Sequence, residues 1–247
     1  MKRGACTLNV SDIREKRNKK IRVTFCGYRS WALAVIAEIR NICYIEVVDV
    51  IENEEIYREK VLQYVDNYVD CIVLLGWSWI IRDDILNRFL CVGIHPSDLP
   101  MYRGGSPIQH QIIDGLEETK ISLMSISSEG VDVGPIWAKE EWDMTGSTMD
   151  VVFQHLADSS VRLLKKFFNN FGNLVSTPQK LEEGSYCKRR NPSDSKVTWK
   201  ELESMKLKDV YNLMRALTDP YPNIYIEDNA GNKLYFKKVE YCDNKGD

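Results

Sequence analysis

The sequence predicts an α/β protein with a Rossmann-like fold, in which helices cover both faces of a mostly parallel sheet, followed by a small C-terminal α+β subdomain. Between residues 21 and 95, short apolar runs alternate with segments whose apolar residues recur at helical spacing. Near residue 173 the composition turns polar, and a helical segment and a hairpin pattern follow. A chain of 247 residues, 44% of them apolar, is long enough for this arrangement.

Four apolar runs early in the chain predict the parallel strands. They cover residues 21–27, 44–51, 69–77 and 91–95. Amphipathic segments predict the intervening helices, at residues 30–41, 54–67 and 82–89. Parallel sheets of this kind bind ligands beyond the carboxyl ends of their strands. Residues 27–31, 76–79 and 95–105 follow three of those ends, so the sequence predicts a ligand site there.

The same patterns predict the later elements. A helix over residues 108–118 precedes a hairpin over 119–144 and a long amphipathic helix over 147–171, with Ser147 or Thr148 as its N-cap. Residues 176–196 are rich in turn formers and predict a connecting segment. The C-terminal subdomain is predicted from a helical stretch at 198–218, a turn at 219–223 and a hairpin centred on 229–232.

Composition and charge narrow the class of protein. A net charge of −3 and a pI near 5.8 do not favour a nucleic-acid-binding surface. The seven cysteines form no Cys-x-x-Cys pair, and Cys26 and Cys71 lie in apolar runs, which predicts reduced, buried thiols in a cytoplasmic protein without a metal site. No apolar run reaches the roughly 20 residues of a membrane-spanning helix. Residues 1–20 lack the apolar centre of a signal peptide, which predicts an N-terminal extension, with a partner-binding arm as the alternative.

Two polar side chains at the predicted ligand edge are candidates for catalysis. His95 follows a strand and precedes a proline, and Asp132 lies in the segment Gly-Val-Asp-Val-Gly. A histidine and a carboxylate can share a proton transfer, because the carboxylate orients the ring and stabilises its charged form. On residue chemistry alone, the pair fits equally well a structural histidine at a strand end and an aspartate in a turn.

Two longer motifs resemble a known family, the formyltransferases that use 10-formyltetrahydrofolate. Residues 94–115 read IHPSDLPMYRGGSPIQHQIIDG, and residues 121–136 read ISLMSISSEGVDVGPI. The family carries a His-Pro-Ser-x-Leu-Pro-x-x-Arg-Gly segment and, about three dozen residues later, a Gly-x-Asp-x-Gly segment. The segments FCGYRSWAL, LLGWSWIIRDDIL and NLMRALTDPYPNIY are also similar to the family. The resemblance therefore extends over residues 21–241.

The resemblance implies a reaction in which a substrate amine attacks the formyl carbon of 10-formyltetrahydrofolate and tetrahydrofolate is released, without a metal. His95 would polarise the formyl oxygen or relay a proton, and Asp132 would hold His95 and assist removal of the amine proton. The residues implied for folate binding are Trp77, Ser78, Trp79, Ile80, Gly130 and Val131. Those expected to contact the amine substrate are Ser97, Arg103, Gln109, His110 and Tyr221.

The sequence departs from the family at Gly93. Many members have an asparagine two residues before the histidine, whose amide would donate to the negative charge that develops on the formyl oxygen. Gly93 supplies no such donor. Either another group replaces it, with Gln109, His110, Ser97 or a water as candidates, or the chain is a weakened homologue that only binds. Loss of one such donor costs on the order of a hundred-fold in rate, which favours replacement.

The resemblance is greatest to the subgroup that formylates nucleotide-linked amino dideoxy sugars for bacterial surface glycans. The acidic composition argues against the subgroup that formylates methionyl-tRNA. The alternatives are a formyltransferase acting on another small amine, and a binding or regulatory protein on the same fold. The expected organisation is an extension at residues 1–20, a catalytic domain at 21–175, and a connector and small subdomain at 176–247. A cytoplasmic homodimer joined through the C-terminal part is expected, with no nucleic-acid or membrane partner.

Overall fold

The computed structural model describes residues 20–243, so the predicted extension at residues 1–20 lies outside the described residues except for Lys20. The strands are β1 (Ile21–Cys26), β2 (Ile45–Ile51), β3 (Cys71–Leu75), β4 (Cys91–His95), β5 (Arg103–Gly104), β6 (Glu118–Ser125), β7 (Ile136–Asp143), β8 (Tyr186–Cys187), β9 (Tyr225–Glu227) and β10 (Lys233–Tyr235). The helices are α1 (Ser30–Arg40), α2 (Glu54–Lys60), α3 (Asp83–Leu86), α4 (Pro107–Ile113), α5 (Met149–Asn169), α6 (Trp199–Ser204) and α7 (Leu207–Arg215).

The main sheet has six strands in the order β2-β1-β3-β4-β6-β7. Strands β1 to β4 are parallel. Strand β6 pairs antiparallel with β4, and β7 pairs antiparallel with β6. This confirms the predicted Rossmann-like α/β fold with a mostly parallel sheet. The chain leaves β1 toward β2 on one side and later returns to β3 on the other side, and such a reversal opens a crevice at the carboxyl ends of the strands.

Apolar side chains pack against both faces of the main sheet. On one face, Trp31 and Ile36 of α1 share a buried cluster with Leu156 and Phe167 of α5. On the other face, α2 and α3 contribute to a second buried cluster. The central strand β3 has only apolar, buried residues because it is covered on both sides. The two clusters fix the strands and leave their carboxyl ends as the open edge.

The C-terminal part has the predicted α+β content and packs on the main core. Met214, Leu217 and Ile224 belong to the same apolar cluster as α1 and α5. Arg215, which is only 3% exposed, donates from Nη1 to the carbonyl oxygens of Met144 at 2.9 Å and Gly146 at 3.2 Å. Arg215, the arginine of the segment NLMRALTDPYPNIY, therefore links the C-terminal part to the segment before α5. Because one apolar core extends across residue 175, the domain boundary at that residue stays a prediction.

Several predicted helices are shorter than their patterns. The helix predicted at 82–89 is α3, which ends at Leu86, and the one predicted at 108–118 is α4, which ends at Ile113. The helix predicted at 54–67 is α2, which ends at Lys60 and continues as a 3-10 turn at Val61–Gln63. The stretch predicted as helical at 198–218 contains two helices, α6 and α7, separated by extended backbone at Met205. Leu202 and Leu213 pack against the same apolar cluster from either side of this break. The apolar spacing therefore continues through the break and does not reveal it.

The N-terminus of α5 is capped from a distant part of the chain. Thr148 occupies the predicted N-cap position, but its side chain makes no capping hydrogen bond. The backbone N–H of Met149 instead donates to Oγ1 of Thr218, at 2.8 Å. This bond satisfies one of the free N–H groups of the first helical turn and joins α5 to the segment after α7.

Some of the described cysteines are buried and others are exposed. Cys26, Cys71, Cys91 and Cys187 are buried, whereas Cys43 and Cys242 are exposed, so the prediction of buried thiols is wrong for the last two. Cys43 lies in the turn after α1 and Cys242 follows β10, and neither position faces the core. Between residues 20 and 243, no helix is both long and apolar enough to cross a bilayer, and no three potential metal ligands cluster.

Candidate active site

A cavity of about 980 Å³ opens beyond the carboxyl ends of β1, β3 and β4. This is the edge at which the sequence predicts a ligand site. Its walls come from the segments after β1 and β3, the loop after β4 with the start of α4, and the loop between β6 and β7. Parts of the connector and of the Pro-Tyr-Pro segment at residues 220–222 close it from the other side.

His95, the last residue of β4, is 6% exposed and lines this cavity. Its Nε2 lies 2.8 Å from the carbonyl oxygen of Tyr102. Because a carbonyl oxygen can only accept, this hydrogen bond requires the proton on Nε2. The other ring nitrogen, Nδ1, lies 3.4 Å from Oδ2 of Asp132. Nδ1 is therefore the ring atom that can take up a proton, and the Asp132 carboxylate would stabilise the resulting cation.

Asp132 reaches His95 from the loop between β6 and β7. Its backbone has a left-handed φ of +56°, and its Oδ2 accepts a hydrogen bond from the backbone N–H of Gly104 at 2.8 Å. Gln179 Nε2 donates to the carbonyl oxygens of Asp132 and Gly134, at 3.0 and 2.7 Å. The Gly104 N–H thus holds the carboxylate and Gln179 holds the backbone of its loop, which keeps Asp132 beside the His95 ring.

The loop after His95 is fixed by two buried polar side chains to which the sequence analysis gives no role. Ser122 Oγ donates to the carbonyl oxygen of Ser97 at 2.8 Å and accepts from the N–H of Leu99 at 3.1 Å. Gln111 Nε2 donates to the carbonyl oxygen of Pro96 at 2.7 Å. Both side chains are fully buried. Sequence reasoning missed them, since a serine in a strand and a glutamine in a helix carry no signal of such a role.

The connector is bound to this loop along a short backbone contact. Strands β5 and β8 pair in parallel, and the N–H of Gly105 donates to the carbonyl oxygen of Cys187 at 2.9 Å. A Cβ on Gly104 would lie 2.6 Å from that same carbonyl oxygen, and one on Gly105 would lie 2.5 Å from Cα of Arg189. The two glycines therefore permit the close approach that brings Arg189 and Arg190 to the cavity wall.

The segment after β3 forms an aromatic wall. The rings of Trp77 and Trp79 lie 4.7 Å apart, edge to face, and Tyr28 lies 5.2 Å from Trp79. The indole Nε1 of Trp77 is buried without a hydrogen-bond partner among the described residues. All six residues implied for folate binding line the cavity, namely Trp77, Ser78, Trp79, Ile80, Gly130 and Val131.

Gly93 also lines the cavity, and the space beside it is filled. A Cβ on Gly93 would lie 2.9 Å from Cδ1 of Ile126, the residue after β6. An asparagine side chain at this position would therefore have to displace Ile126. The apolar Ile126 side chain occupies the space next to the position where many family members carry a donor.

The residues expected to contact the amine substrate divide into two groups. Gln109 and Tyr221 line the cavity, whereas Ser97, Arg103 and His110 do not. Ser97 Oγ donates to the carbonyl oxygen of Met101, Arg103 donates to those of Pro100 and Leu181, and His110 Nε2 contacts that of Lys188. Because these three side chains hold the loop and the connector in place, we do not carry them into the proposed site.

Gln109 and Tyr221 lie beside each other in the cavity wall. Gln109 is 2% exposed, and its Nε2 is buried without a hydrogen-bond partner among residues 20–243. Burial raises the pKa of the Tyr221 hydroxyl, and the adjacent Gln109 amide and Arg29 cation oppose that rise. The Gln109 amide lies close enough to the Tyr221 hydroxyl to oppose the rise in its pKa, but Nε2 makes no full hydrogen bond among the described residues.

The profile of a family described as formyl transferase matches residues 11–166. The chain belongs to this family. It is 29% identical over 193 residues to the methionyl-tRNA formyltransferase of Rickettsia bellii, a match that covers 76% of this chain and 61% of that protein. The chain thus spans less than two thirds of the length of this curated relative.

Solved structures of formyltransferases have the same fold. The methionyl-tRNA formyltransferase from Clostridium thermocellum is 26% identical, with a TM-score of 0.77 over 91% of this chain and 95% of that chain. A sugar N-formyltransferase from Shewanella is 18% identical, with a TM-score of 0.68 over 90% of this chain and 99% of that chain. At 18% identity the second likeness concerns the fold alone.

Proposed function

We propose that this chain is an N-formyltransferase that moves the formyl group of 10-formyltetrahydrofolate to the amine of a nucleotide-linked amino dideoxy sugar. The observation that carries the proposal is the His95–Asp132 pair, held 3.4 Å apart at the end of β4 and facing the cavity. Because the chain belongs to the formyl transferase family, we assign to this pair a role in formyl transfer. The assignment of roles to individual residues is part of the proposal.

The aromatic wall after β3 suits the pterin of the donor. Bound there, 10-formyltetrahydrofolate would supply an electrophilic formyl carbon for attack by an amine. Trp77 Nε1 is a buried donor without a partner, which fits the ring nitrogens and carbonyl of a pterin as acceptors. Trp79 and Ile80 offer apolar surface at the cavity mouth, and Val131 lies in the opposite loop. These residues would hold and orient the donor and exclude water from its formyl end.

The pair His95 and Asp132 would manage the proton that the amine loses. His95 keeps one proton on Nε2, bound to the Tyr102 carbonyl oxygen, and presents Nδ1 toward Asp132. A proton taken up at Nδ1 makes the ring cationic, and the carboxylate stabilises that charge. Of the two roles that the resemblance implies for His95, this geometry supports proton relay. The Gly104 hydrogen bond keeps the carboxylate in position throughout.

The size of the cavity supports a small acceptor. A volume of about 980 Å³ is at the upper end for small-molecule pockets, so it has room for the reacting ends of two small molecules. Gln109 and Tyr221 form part of the wall beyond His95 and would contact the amine substrate.

Methionyl-tRNA is the second candidate acceptor. It is favoured by the comparisons, since the Rickettsia bellii and Clostridium thermocellum proteins are methionyl-tRNA formyltransferases with 29% and 26% identity. The net charge of −3 opposes it, because tRNA binding depends on phosphate neutralisation by clustered basic residues.

A coupled assay separates the candidates. The full chain is incubated with 10-formyltetrahydrofolate and either a panel of nucleotide-linked 4-amino sugars or methionyl-tRNA, and the formylated amine is measured by mass spectrometry. We expect a sugar to be formylated with release of tetrahydrofolate. Formylation of methionyl-tRNA, with no sugar formylated, would show that methionyl-tRNA is the acceptor and would contradict the sugar proposal. Folate binding without turnover of any amine would favour a binding or regulatory protein.

The predicted homodimer and its C-terminal interface are also part of the proposal. Leu234 and Tyr235 on the edge strand β10 are about half exposed, and Trp199 on α6 is 58% exposed. Light scattering of the full chain tests this, and a monomeric mass at assay concentrations would contradict it.

A further inference from the structure

The connector carries two consecutive arginines into the wall of the cavity. Arg189 packs its backbone against Gly105, and the backbone N–H of Arg190 donates to Oγ of Ser106 at 3.0 Å. Both side chains line the cavity. On sequence alone, the run Lys-Arg-Arg in a polar segment fits a solvated surface, so the position of these two residues follows only from the contact between the connector and the loop after His95.

Among the described residues neither guanidinium forms an ion pair, although Arg189 is exposed and Arg190 lies near enough to the Asp194 carboxylate for that charge to oppose the lowering of its pKa by burial. Among residues 20–243, no carboxylate lies within 4 Å of a charged nitrogen of Arg189 or Arg190, although the chain forms many such pairs elsewhere. Arg190 Nη2 donates to the carbonyl oxygen of Asp194 at 2.5 Å, and its Nε is buried without a partner. A guanidinium stays charged at physiological pH, and a partly buried one is normally paired with an anion. The pair therefore has unused capacity for an anionic ligand.

A third group in the same wall has the same unused capacity. Gln109 lies in the first turn of α4, three residues after Ser106, and its Nε2 is buried and unpartnered among the described residues. All three buried polar atoms of the cavity lining that have no partner are donors: Trp77 Nε1, Gln109 Nε2 and Arg190 Nε. Trp77 belongs to the proposed folate wall. Gln109 and Arg190 are therefore left for a second ligand that is rich in acceptor atoms.

We propose that Arg189, Arg190 and Gln109 form a subsite for a phosphate group of the acceptor substrate. The inference rests on the proposed function, because it concerns the ligand that shares the cavity with the folate. Two adjacent guanidiniums present several planar N–H donors and two positive charges, which suits a diphosphate better than a single carboxylate. The glutamate carboxylate of the folate is the other source of an anion, and the test below separates the two.

The subsite is tested by binding, without catalysis. Calorimetric titration of the full chain with inorganic pyrophosphate and with UDP is compared for the unmodified protein, Arg189→Gln and Lys188→Gln. We expect Arg189→Gln to weaken binding of both probes by about ten-fold or more, the usual effect of losing a charge-assisted hydrogen bond. Lys188→Gln is the matched control, since it removes one charge from an exposed neighbouring position that does not line the cavity. Equal binding by all three proteins would overturn the proposal.

A parallel titration with 5-formyltetrahydrofolate, a stable analogue of the donor, separates the two anion sources. We expect Arg189→Gln to leave its affinity within about two-fold. A loss of folate affinity in this variant, with no effect on pyrophosphate, would assign the arginines to the donor and overturn the phosphate subsite. Binding of tRNA but of neither small probe would overturn it as well.

The outcomes also distinguish this inference from the proposed function. If pyrophosphate binds as expected but no amine is formylated, the subsite stands and the proposed activity fails. If a nucleotide-linked sugar is formylated with an unchanged KM in Arg189→Gln, the activity stands and the subsite fails. Replacement by Arg189→Lys, which keeps the charge but not the planar donor geometry, is expected to restore part of the affinity.

Discussion

At the scale of single residues, His95 and Asp132 are the part of the site that sequence motifs predict best. The family resemblance, and not the residue types alone, predicts a proton-transfer pair, and the folded chain holds the two side chains 3.4 Å apart. What the motifs do not predict is how the pair is held. The Tyr102 carbonyl oxygen and the Gly104 N–H each bond one partner of the pair, and both are backbone groups whose positions depend on how the loop folds.

The catalytic pair gives the first prediction. His95→Ala and Asp132→Asn are each expected to lower kcat by about 100-fold or more, because proton transfer contributes about that factor. The double variant is expected to lose little more than either single one, since the two groups act as a unit. Steady-state kinetics and thermal melting are measured together. The control is His155→Ala, which removes a histidine on α5 paired with Asp143 outside the cavity. Full activity in either site variant would refute the assignment.

The second prediction concerns Gly93. Gly93→Asn is expected to lower the free energy of unfolding by about 1 kcal/mol or less, because its Cβ would lie 2.9 Å from Cδ1 of Ile126, the free end of a side chain that can rotate away. Adding Ile126→Ala is expected to recover part of that loss in urea denaturation. We expect kcat of the double variant to stay at or below that of Ile126→Ala alone, since other donors line the cavity. A gain of ten-fold or more would show instead that the site lacks a donor.

At the scale of secondary-structure elements, the four strands up to β4 follow their apolar patterns closely, because each is fixed by burial in the sheet, whereas α2 and α3 are shorter than predicted. Elements set by distant contacts are different. The cap of α5 comes from Thr218, and β5 and β8 have two residues each and exist only as a pair. No local sequence pattern can predict this cap or these two strands, since each depends on residues more than sixty positions away. The same contact places Arg189 and Arg190 in the cavity, which is why sequence reasoning left them at the surface.

Arg215 gives the third prediction, at this scale. Arg215→Met is expected to lower the free energy of unfolding by about 3 kcal/mol, since it removes charge-assisted hydrogen bonds to two buried carbonyl oxygens and leaves them without that donor. Urea denaturation measures the change. The control is Arg58→Met on α2, where an exposed i,i+4 pair with Glu54 is lost and no measurable change is expected. Equal stability of the two variants would show that Arg215 does not anchor α7.

At the scale of the whole molecule, one apolar cluster joins the sheet, the long helix α5 and the C-terminal helices. The fold class is therefore predictable from the sequence, but the division into two units is less distinct than the change in composition suggests. The cavity is likewise a property of the assembled molecule, because its lining runs from Arg29 to Pro222.

Thiol reactivity gives the fourth prediction. Burial raises the pKa of the Cys91 thiol to about 12 and that of Cys71 well above its usual value, so neither is a nucleophile in the folded protein. Among the cysteines between residues 20 and 243, Cys43 and Cys242 are exposed and are expected to react first with a thiol reagent at pH 8. Peptide mapping by mass spectrometry after timed labelling assigns each site. In urea, Cys71 and Cys91 are expected to react as fast as Cys43, and rapid labelling of Cys91 without urea would contradict the packing of β4.

The short pairing of β5 with β8 joins two segments of the chain, and each segment contributes different residues to the proposed pocket. The wall assigned to the donor is built before residue 133, whereas Arg189, Arg190 and Tyr221 arrive with the later segment and meet the first at Gly104 and Gly105. The acceptor side therefore draws on both segments, since Gln109 belongs to the first, and the shared apolar cluster joins the two segments into one core.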